Sequence, residues 1–540
     1  MTAMEGAPLV AKTRMHASSR LLNRFKVGVA ALALVGVVGV VYRMHQLPPA
    51  ASVVIPSSLS AFAANNIAPF PGEPDEIIDL PGKPAAYTPK LYSGFLSLAN
   101  GGQMFYFLAT SQSVQAPTDP VMLWLNGGPG ASSLLGCFSE IGPLLFQDDA
   151  TLRVNPYAWN QHANLLCLES PVGVGFSYNT SSVYVSDDLA QADDIYDALQ
   201  AFFTKFPHLA ANDFVIAGES YGGVYVPTTA RAIVRGNAAH PTWHINLVKW
   251  AVGNGVNEFA GLSQVVWAYY HGLIGTDEYK NMRATCPGFH EFEPTPHTLH
   301  PSCKYTYFSI LQALVVAHIN SYDIFAKCHG GDLNHGLDKL LAEIETPHHA
   351  PLHHPFGLAL DLCLNSTASR LYFNDPAVRR AIHTDTIPFP LEWSNIALTS
   401  LQLTQIDRAL NVTGNDDYAL AYNRSLDGHV TSLWRYLLDE GVPGVIYHGD
   451  SDIMCDFISG QWAVESLRLP RKSLFQPWFI ATDDDGQDDD GGFVEEFQGL
   501  TFVTVKGAGH MVPQNKPIQA LAMLEHYILD TPAARVQVWT

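Results

Sequence analysis

One short stretch, residues 217–223, constrains the fold of this chain more than any other. It reads Ala-Gly-Glu-Ser-Tyr-Gly-Gly, with an apolar run before it and a stretch typical of a helix, residues 224–234, after it. Small residues on both sides of Ser220 permit a sharp turn from a buried strand into a helix. Such a turn lifts the serine hydroxyl clear of the sheet and aims the N–H groups of the next helix at the reaction site. The stretch therefore predicts a nucleophile elbow with Ser220 as the nucleophile.

Two later apolar runs end in the residues that a serine nucleophile needs. The first enters a turn that carries Asp450 and Asp452, and the second leads through a glycine-rich loop to His510. In an α/β-hydrolase the acid and then the histidine follow the serine along the chain. Catalytic groups of open α/β sheets gather at the carboxyl ends of the strands. The order predicts a triad of Ser220, Asp452 and His510, with Asp450 as the rival acid.

The remaining apolar pattern predicts the scaffold around these three residues. Residues 92–108 alternate as a hairpin does, and residues 121–125 and 248–252 are apolar enough for buried strands. Residues 187–203 predict a helix, because apolar side chains recur at three- and four-residue steps and two acids stand at its start. Residues 433–440 predict another helix. The expected buried positions of the first helix are Leu189, Ala192, Ile195, Leu199 and Phe202.

Four motifs in register carry a family resemblance. They are Trp-Leu-Asn-Gly-Gly-Pro-Gly at 124–130, Glu-Ser-Pro-Val-Gly-Val-Gly-Phe-Ser-Tyr at 169–178, the elbow itself, and Gly-Ala-Gly-His-Met-Val-Pro at 507–513. Together they resemble the motifs of the serine carboxypeptidases, from about Tyr87 to the C-terminus and least between residues 287 and 355. The resemblance implies an α/β-hydrolase fold, with a central, mostly parallel sheet and an inserted, mainly helical cap.

The resemblance also implies how the substrate is held. The backbone N–H groups of Gly128 and Tyr221 match those that form the oxyanion hole. The positions that match the binding site for the free C-terminal carboxylate of a peptide are Asn126, Gly127, Glu219 and Glu140. Two carboxyl groups in contact cannot both ionise, so the two glutamates would share a proton. A protonated Glu219 would donate to the substrate's carboxylate, which predicts tight peptide binding at acid pH.

The specificity pockets follow from the same resemblance. Met511 matches a position that lines the pocket for the departing residue, and methionine there suggests a hydrophobic leaving residue. Cys455 matches a position in the neighbouring pocket, and it is interpreted either as a mercurial-sensitive thiol or as a structural one. The chain departs from the family at Ala131, where relatives carry a cysteine bridged to the cap. No partner cysteine is evident near residues 393–397, so the departure concerns how the cap is anchored.

The N-terminal region predicts entry into the secretory pathway. Residues 1–26 are basic, and residues 27–42 carry no charge. That run spans about 24 Å as a helix, near the lower limit for a bilayer. The charge distribution favours a single-pass signal anchor with a lumenal catalytic domain over a cleaved signal peptide. The predicted organisation is a basic segment (1–26), an anchor or signal segment (27–42), a linker (43–85), the first part of the core (86–256), the cap (257–430) and the second part of the core (431–540).

Cysteines and glycosylation sequons fit an oxidising lumen. Cys167 lies in an apolar run and is expected to be a buried thiol. Four cysteines fall within the predicted cap, where two bridges would allow three connectivities. The four Asn-x-Ser/Thr sequons are at Asn179, Asn365, Asn411 and Asn423.

Charge and composition exclude other classes of protein. The formal net charge of −21 argues against a nucleic-acid ligand, which demands a basic surface. It fits an acidic compartment and equally fits a role in solubility. The His/Pro-rich stretch 347–355 lacks a regular face, an acid or a cysteine, and the acidic stretch 483–490 lacks the spacing of a calcium loop. We predict no metal and no cofactor.

The sequence thus predicts a serine-type carboxypeptidase that releases single C-terminal amino acids, with hydrophobic ones preferred, at acid pH through an acyl-enzyme. Its partners would be the C-termini of peptides and proteins, and the membrane through the N-terminal segment; a homodimer is left open. The predicted location is the secretory lumen, a vacuole- or lysosome-like compartment, or the cell exterior. Two alternatives remain: an acyltransferase on the same fold, and a lumenal binding or protective protein.

Overall fold

The computed structural model describes residues 75–180, 184–240, 244–286, 307, 310, 317, 319–328, 363, 366–395, 421–480, 489–531 and 536–538. The predicted basic and apolar N-terminal segments, 1–26 and 27–42, lie outside these residues, as do the His/Pro-rich stretch and most of the acidic one. Among the described residues, no helix combines the length and the hydropathy needed to cross a bilayer.

The described strands are β1 (Leu91–Ser97), β2 (Gly102–Ala109), β3 (Val121–Leu125), β4 (Leu144–Phe146), β5 (Leu152–Val154), β6 (Asn164–Leu168), β7 (Tyr178–Asn179), β8 (Val185–Asp187), β9 (Phe214–Glu219), β10 (Leu247–Gly253), β11 (Ala421–Asn423), β12 (Gly444–Gly449), β13 (Gln476–Ile480), β14 (Asp489–Phe497), β15 (Leu500–Val505) and β16 (Val536–Val538).

The described α-helices are α1 (Leu134–Ser139), α2 (Asp188–Lys205), α3 (Gly222–Ala239), α4 (Leu262–Tyr270), α5 (Thr276–Thr285), α6 (Thr367–Phe373), α7 (Pro376–Ala381), α8 (Val430–Asp439), α9 (Phe457–Ser466), α10 (Val512–Asn515) and α11 (Pro517–Met523). A π-helical turn, Leu524–Ile528, follows α11.

A large mixed sheet organises the described residues, in the order β1-β2-β6-β3-β9-β10-β12-β15-β14-β13-β16. The neighbours from β6 to β15 run parallel, and antiparallel strands flank them on both sides. Every residue of β3, β6, β9 and β12 is buried, as expected for parallel strands covered on both faces. The predicted mostly parallel centre, the hairpin β1–β2 and the strands β3 and β10 are therefore confirmed.

The first predicted helix forms, with one misplaced side chain. Asp187 caps α2, because its side chain accepts hydrogen bonds from the N–H groups of Leu189 (2.9 Å) and Ala190 (2.8 Å). Leu189 itself is 45 % exposed, so its expected burial is wrong. It belongs to the first turn of the helix, which Asp187 caps. The four later positions of the predicted face are buried.

The disulfides correct one expectation. Cys167 is not a free thiol, because α1 packs against β6 and brings Cys137 into a disulfide with it. A second disulfide joins Cys328 to Cys363, and Cys286 is also disulfide-bonded. Among the described cysteines, Cys455 is the free thiol, and it is buried.

The predicted cap, residues 257–430, is described only in part, and its boundaries stay a prediction. Where the family cysteine is replaced by Ala131, a hydrogen bond from the N–H of Ser132 to the carbonyl of Asn395 (2.9 Å) joins the glycine-rich loop to the cap region. The buried carboxyl of Glu169 adds to this link, because it accepts hydrogen bonds from the Ser132 hydroxyl and from Nε1 of Trp393 (2.8 Å). Burial raises the pKa of Glu169 to about 7.

Candidate active site

The predicted nucleophile lies in the tight turn between β9 and α3. Ser220 has a φ of 60°, in the left-handed region that L-residues rarely adopt. The backbone holds it there: its N–H donates to the carbonyl of Gly253 (3.1 Å), and its carbonyl accepts from the N–H groups of Gly223 and Val256 (both 2.9 Å). A backbone strained in this way is typical of a nucleophile elbow.

Two further predicted residues are joined by a buried hydrogen bond. Nδ1 of His510 lies 2.8 Å from Oδ2 of Asp452, and the two side chains are 3 % and 0 % exposed. Each residue follows a strand, Asp452 after β12 and His510 after β15, and these strands are parallel neighbours. Their carboxyl ends therefore bring the two loops together, as the sequence predicts.

The rival acid, Asp450, points elsewhere. Its Oδ1 accepts hydrogen bonds from the N–H of Gly507 (2.7 Å) and from the hydroxyl of Ser451 (3.2 Å). Burial raises the pKa of its carboxyl. The contacts of Asp450 thus fix the loop that leads to His510, while the imidazole contact belongs to Asp452.

The free nitrogen of the histidine shares a cavity with the serine. Nε2 of His510 is buried and has no hydrogen-bond partner among the described residues. Ser220 and His510 both line a cavity of about 620 Å³, a volume suited to a small organic ligand. Contacts between a nucleophile and its base are often loose in an unliganded protein and tighten when substrate binds.

The glycine-rich loop after β3 lies directly against the elbow. A Cβ on Gly127 would stand 2.2 Å from the backbone nitrogen of Tyr221 and 2.8 Å from Cβ of Ser220, so no larger residue fits. Gly128 has a φ of 110°, which also demands glycine. The loop thereby brings Gly127, which precedes the predicted oxyanion-hole residue Gly128, against the backbone nitrogen of Tyr221, the other predicted residue.

Asn126 and the two glutamates form a buried cluster in the same cavity. Nδ2 of Asn126 donates to Oε1 of Glu219 (2.8 Å), and its Oδ1 accepts from the indole of Trp124 (2.8 Å) and the N–H of Gly136 (3.0 Å). Glu140 and Glu219 are each 4 % exposed, and their carboxyl groups contact each other. Burial raises the pKa of Glu140 to about 7, and burial together with the charge of Glu140 raises that of Glu219 well above its usual range. The pair therefore holds a proton.

The two predicted pocket residues differ in their access to the cavity. Met511 lines it. Cys455 packs with Tyr322 and Met454 and, in the described part of the chain, is not part of that wall. Burial raises the pKa of the Cys455 thiol well above its usual range. This neutral, enclosed thiol fits the structural interpretation of Cys455 better than the mercurial-sensitive one.

Sequence reasoning missed two features that shape the site. Nδ2 of Asn254 donates to Oδ2 of Asp452 (2.8 Å), and its Oδ1 accepts from the N–H of Gly449 (3.1 Å). The signal for it was a Gly-Asn-Gly turn at the carboxyl end of β10. The second feature is segment 319–328, which lies over the histidine. The carbonyl of Tyr322 accepts from the N–H of His510 (2.6 Å), and their rings meet edge to face at 4.9 Å.

The predicted glycosylation sites are placed unevenly. Asn179 is only 9 % exposed and pairs within the sheet through β7, whereas Asn423 is exposed on β11. Asn365 and Asn411 lie outside the described residues. Across the ranges that the structure describes, no group of three or more His, Cys, Asp and Glu side chains is arranged to hold a metal ion.

Comparisons with known proteins point to one family. The family model for serine carboxypeptidases matches residues 81–530. The chain is 33 % identical to the lysosomal protective protein of Mus musculus over 493 residues, which are 88 % of this chain and 97 % of that one. It is also 33 % identical to serine carboxypeptidase-like 26 of Arabidopsis thaliana, over 85 % of this chain and 94 % of that one.

A solved structure shares the fold. The crystal structure of Kex1(delta)p, a prohormone-processing carboxypeptidase from Saccharomyces cerevisiae, superposes with a TM-score of 0.61 at 20 % identity, over 83 % of this chain and 94 % of that one. The fold is therefore that of the α/β-hydrolases. With the family model covering most of its length, the chain belongs to the serine carboxypeptidase family of hydrolases.

Proposed function

We propose that this protein hydrolyses the last peptide bond of peptides and proteins, and does so best at acid pH. The observation that carries the proposal is the buried pair Glu140–Glu219, held with Asn126 in the same cavity as Ser220 and His510. A buried, protonated carboxyl pair next to a nucleophile suits a ligand with a free carboxylate, because it offers a hydrogen-bond donor where an ionised pair would repel. The C-terminus of a peptide is such a ligand.

The proposed reaction follows the triad logic. The hydroxyl of Ser220 attacks the last peptide carbonyl, and Nε2 of His510 accepts its proton and passes it to the nitrogen of the departing amino acid. Asp452 holds the imidazole in the required tautomer. The N–H groups of Gly128 and Tyr221 stabilise the oxyanion. A water molecule then hydrolyses the acyl-enzyme, again with His510 as base.

Acid pH would favour the binding of substrate, measured as KM, more than the catalytic steps. As the pH rises through about 7, the carboxyl of Glu140 ionises and the pair gains negative charge. The carboxylate of the substrate is then repelled, and KM rises. An acidic lumen would therefore suit the enzyme, and the disulfides Cys137–Cys167 and Cys328–Cys363 fit an oxidising one. The name of the mouse relative points to the lysosome.

The leaving residue is proposed to be hydrophobic. Met511, Leu135 and Ala131 line the cavity that also contains Glu140 and Glu219, so an apolar side chain would find apolar contacts beside its own bound carboxylate. Burial of one such side chain contributes about 1.5–3 kcal/mol.

The deciding experiment measures amino-acid release from N-blocked Phe-Leu and Phe-Arg between pH 4 and 8, with Ser220→Ala as the matched control. We expect release of leucine in preference to arginine, strongest at acid pH and abolished by the substitution. Preference for arginine would overturn the assignment of a hydrophobic pocket for the leaving residue and would leave the triad assignment standing. If a serine-directed phosphonate labels Ser220 but no amino acid is released, the acyltransferase alternative replaces the proposal. A chain that neither labels nor releases would be a binding or protective protein.

A further inference from the structure

A buried carboxylate outside the proposed triad is connected to both sides of the proposed oxyanion hole. Asp188, the first residue of α2, is 0 % exposed. Its Oδ1 accepts hydrogen bonds from the hydroxyls of Tyr221 and Tyr422 (both 2.9 Å). Its Oδ2 accepts from the N–H groups of Ser425 and Leu426 (both 2.7 Å), and from the Ser425 hydroxyl at 3.4 Å. Burying a carboxylate is costly unless its oxygens are satisfied, and here five donors satisfy them.

The first connection runs directly to the elbow. Tyr221 follows the nucleophile, and its backbone N–H is one of the two proposed oxyanion donors. Its side chain is 0 % exposed, and its hydroxyl binds Asp188. The ring of Tyr221 also packs edge to face on Tyr225 (5.2 Å) and Tyr422 (6.0 Å). A residue tied at its hydroxyl and packed on its ring has little freedom to rotate its peptide group.

The second connection runs to the glycine-rich loop. Ser425 and Leu426, whose N–H groups bind Asp188, directly follow Arg424. The guanidinium of Arg424 lies 4.6 Å above the ring of Tyr221, and its Nη2 donates to the carbonyl of Gly128 (3.3 Å). Asp188 thus fixes the backbone next to the arginine that contacts both proposed oxyanion-hole residues.

We propose that Asp188 is a positioning residue that, through the Tyr221 hydroxyl and the Arg424 segment, holds the N–H groups of Tyr221 and Gly128 in the orientation that stabilises the oxyanion. The proposal rests on the function proposed above. It is distinct from a merely structural role, in which Asp188 would only fasten β11 and the residues after it to the core. Because the oxyanion develops on the way to the tetrahedral intermediate and is absent from the bound substrate, misplaced donors would lower kcat and leave KM nearly unchanged.

Two matched variants separate these roles. Tyr221→Phe and Tyr422→Phe each delete one hydroxyl that binds the same oxygen of Asp188, and each keeps its ring, but only Tyr221 carries a proposed oxyanion donor. We expect Tyr221→Phe to lower kcat about tenfold and Asp188→Asn about a hundredfold, with KM within about twofold of wild type. Tyr422→Phe should lower kcat by no more than about twofold. Tyr87→Phe, which removes a buried hydroxyl bonded to Asn160 (3.0 Å), is the control outside the site.

A second readout does not need peptide hydrolysis. The rate at which a serine-directed phosphonate labels Ser220 also depends on oxyanion stabilisation, so it should fall in the order wild type, Tyr422→Phe, Tyr221→Phe, Asp188→Asn. If wild type labels at the expected rate but releases no amino acid, the proposed function fails while the order of labelling still tests Asp188. Equal kcat and equal labelling in Tyr221→Phe and Tyr422→Phe, with only their melting temperatures lowered, would overturn the inference. If Asp188→Asn does not fold, the comparison of Tyr221→Phe with Tyr422→Phe still tests whether Asp188 has a positioning role.

Discussion

The two acidic centres of the site are buried to the same degree but differ in their hydrogen-bond donors. Asp452 accepts from Asn254, from the N–H groups of Met454 and Cys455, and from His510. The Oε2 atoms of Glu140 and Glu219 have no donor among the described residues, and the two carboxyl groups interact with each other. Donors stabilise negative charge, and their absence favours the proton. The same chemical group is thereby suited to orient a base at one centre and to bind an anion at the other.

The largest effect should come from disturbing the donor-rich centre. Asp452→Asn replaces the carboxylate that faces Nδ1 of His510 with a neutral amide, so the imidazole loses the partner that sets its tautomer. We expect kcat for N-blocked Phe-Leu to fall about 10⁴-fold. Asp450→Asn, which changes a neighbouring carboxyl without a contact to the imidazole, should stay close to wild type. Comparable losses in both variants would mean that the acid has been assigned to the wrong residue.

A smaller effect is expected at the donor-poor centre. Wild-type KM should rise about tenfold or more between pH 5 and pH 8, because the pair ionises through the pKa of about 7 at Glu140. Glu140→Gln replaces the carboxyl that titrates near pH 7 with a neutral amide, so its KM should change little over the same range. The C-terminal amide of the same dipeptide lacks the carboxylate and serves as the control substrate. If Glu140→Gln keeps the wild-type pH slope of KM, the pair does not bind the carboxylate.

The same centre should make folding depend on pH. The pKa of Glu140 is raised in the folded state, from an ordinary value of 4.5 to about 7. Its contribution to stability is therefore fully present below about pH 4.5 and is lost as the pH rises to about 7. We expect the free energy of unfolding in urea to fall by about 1–3 kcal/mol from pH 5 to pH 8.

Glu140→Gln should reduce this slope, since the amide does not titrate. A slope remains in the variant, because the pKa values of Glu169 and Asp456 are likewise raised by burial, each to about 7. A wild-type protein that is more stable at pH 8 than at pH 5 would contradict the assignment of a proton to these groups.

The smallest effect is expected when one of the hydrogen-bond donors to Asp452 is removed. Asn254 has a φ of 40°, a conformation that glycine adopts without strain. Asn254→Gly therefore removes only the side-chain amide. Loss of this one hydrogen bond to a charged group should lower kcat about tenfold. KM should be unchanged, since the amide does not line the cavity. A raised KM with normal kcat would show that Asn254 acts on substrate binding instead.

Local patterns predicted the candidate triad, and the structure places its three residues after strands of one parallel part of the sheet. Ser220, Asp452 and His510 each follow an apolar run that forms a strand, and the strands are neighbours or nearly so in the parallel part of the sheet. Their meeting point then follows from the rule for the carboxyl ends of strands. The resemblance supplied the carboxyl pair, whose raised pKa values depend on the burial of Glu140, at the end of α1, beside Glu219 and are not evident in the sequence.

Features that depend on distant pairing were not predicted. The Cys137–Cys167 disulfide requires that α1 lie against β6, and nothing near either cysteine specifies this. Asp188 looked like an ordinary acid at a helix start, while its donors come from the elbow and from residues 422–426, more than 200 residues further along the chain. In each case the sequence identifies the cysteine or the acid but not the residues that bond to it.

The left-handed backbone of Ser220 lowers the free energy of unfolding of the chain by an amount that can be measured. A serine held at a φ of 60° is strained by about 1 kcal/mol, whereas glycine adopts that conformation freely. Ser220→Gly should therefore be more stable than Ser220→Ala although both are inactive. The difference between these two variants in free energy of unfolding therefore measures the backbone strain that the tight turn stores at residue 220.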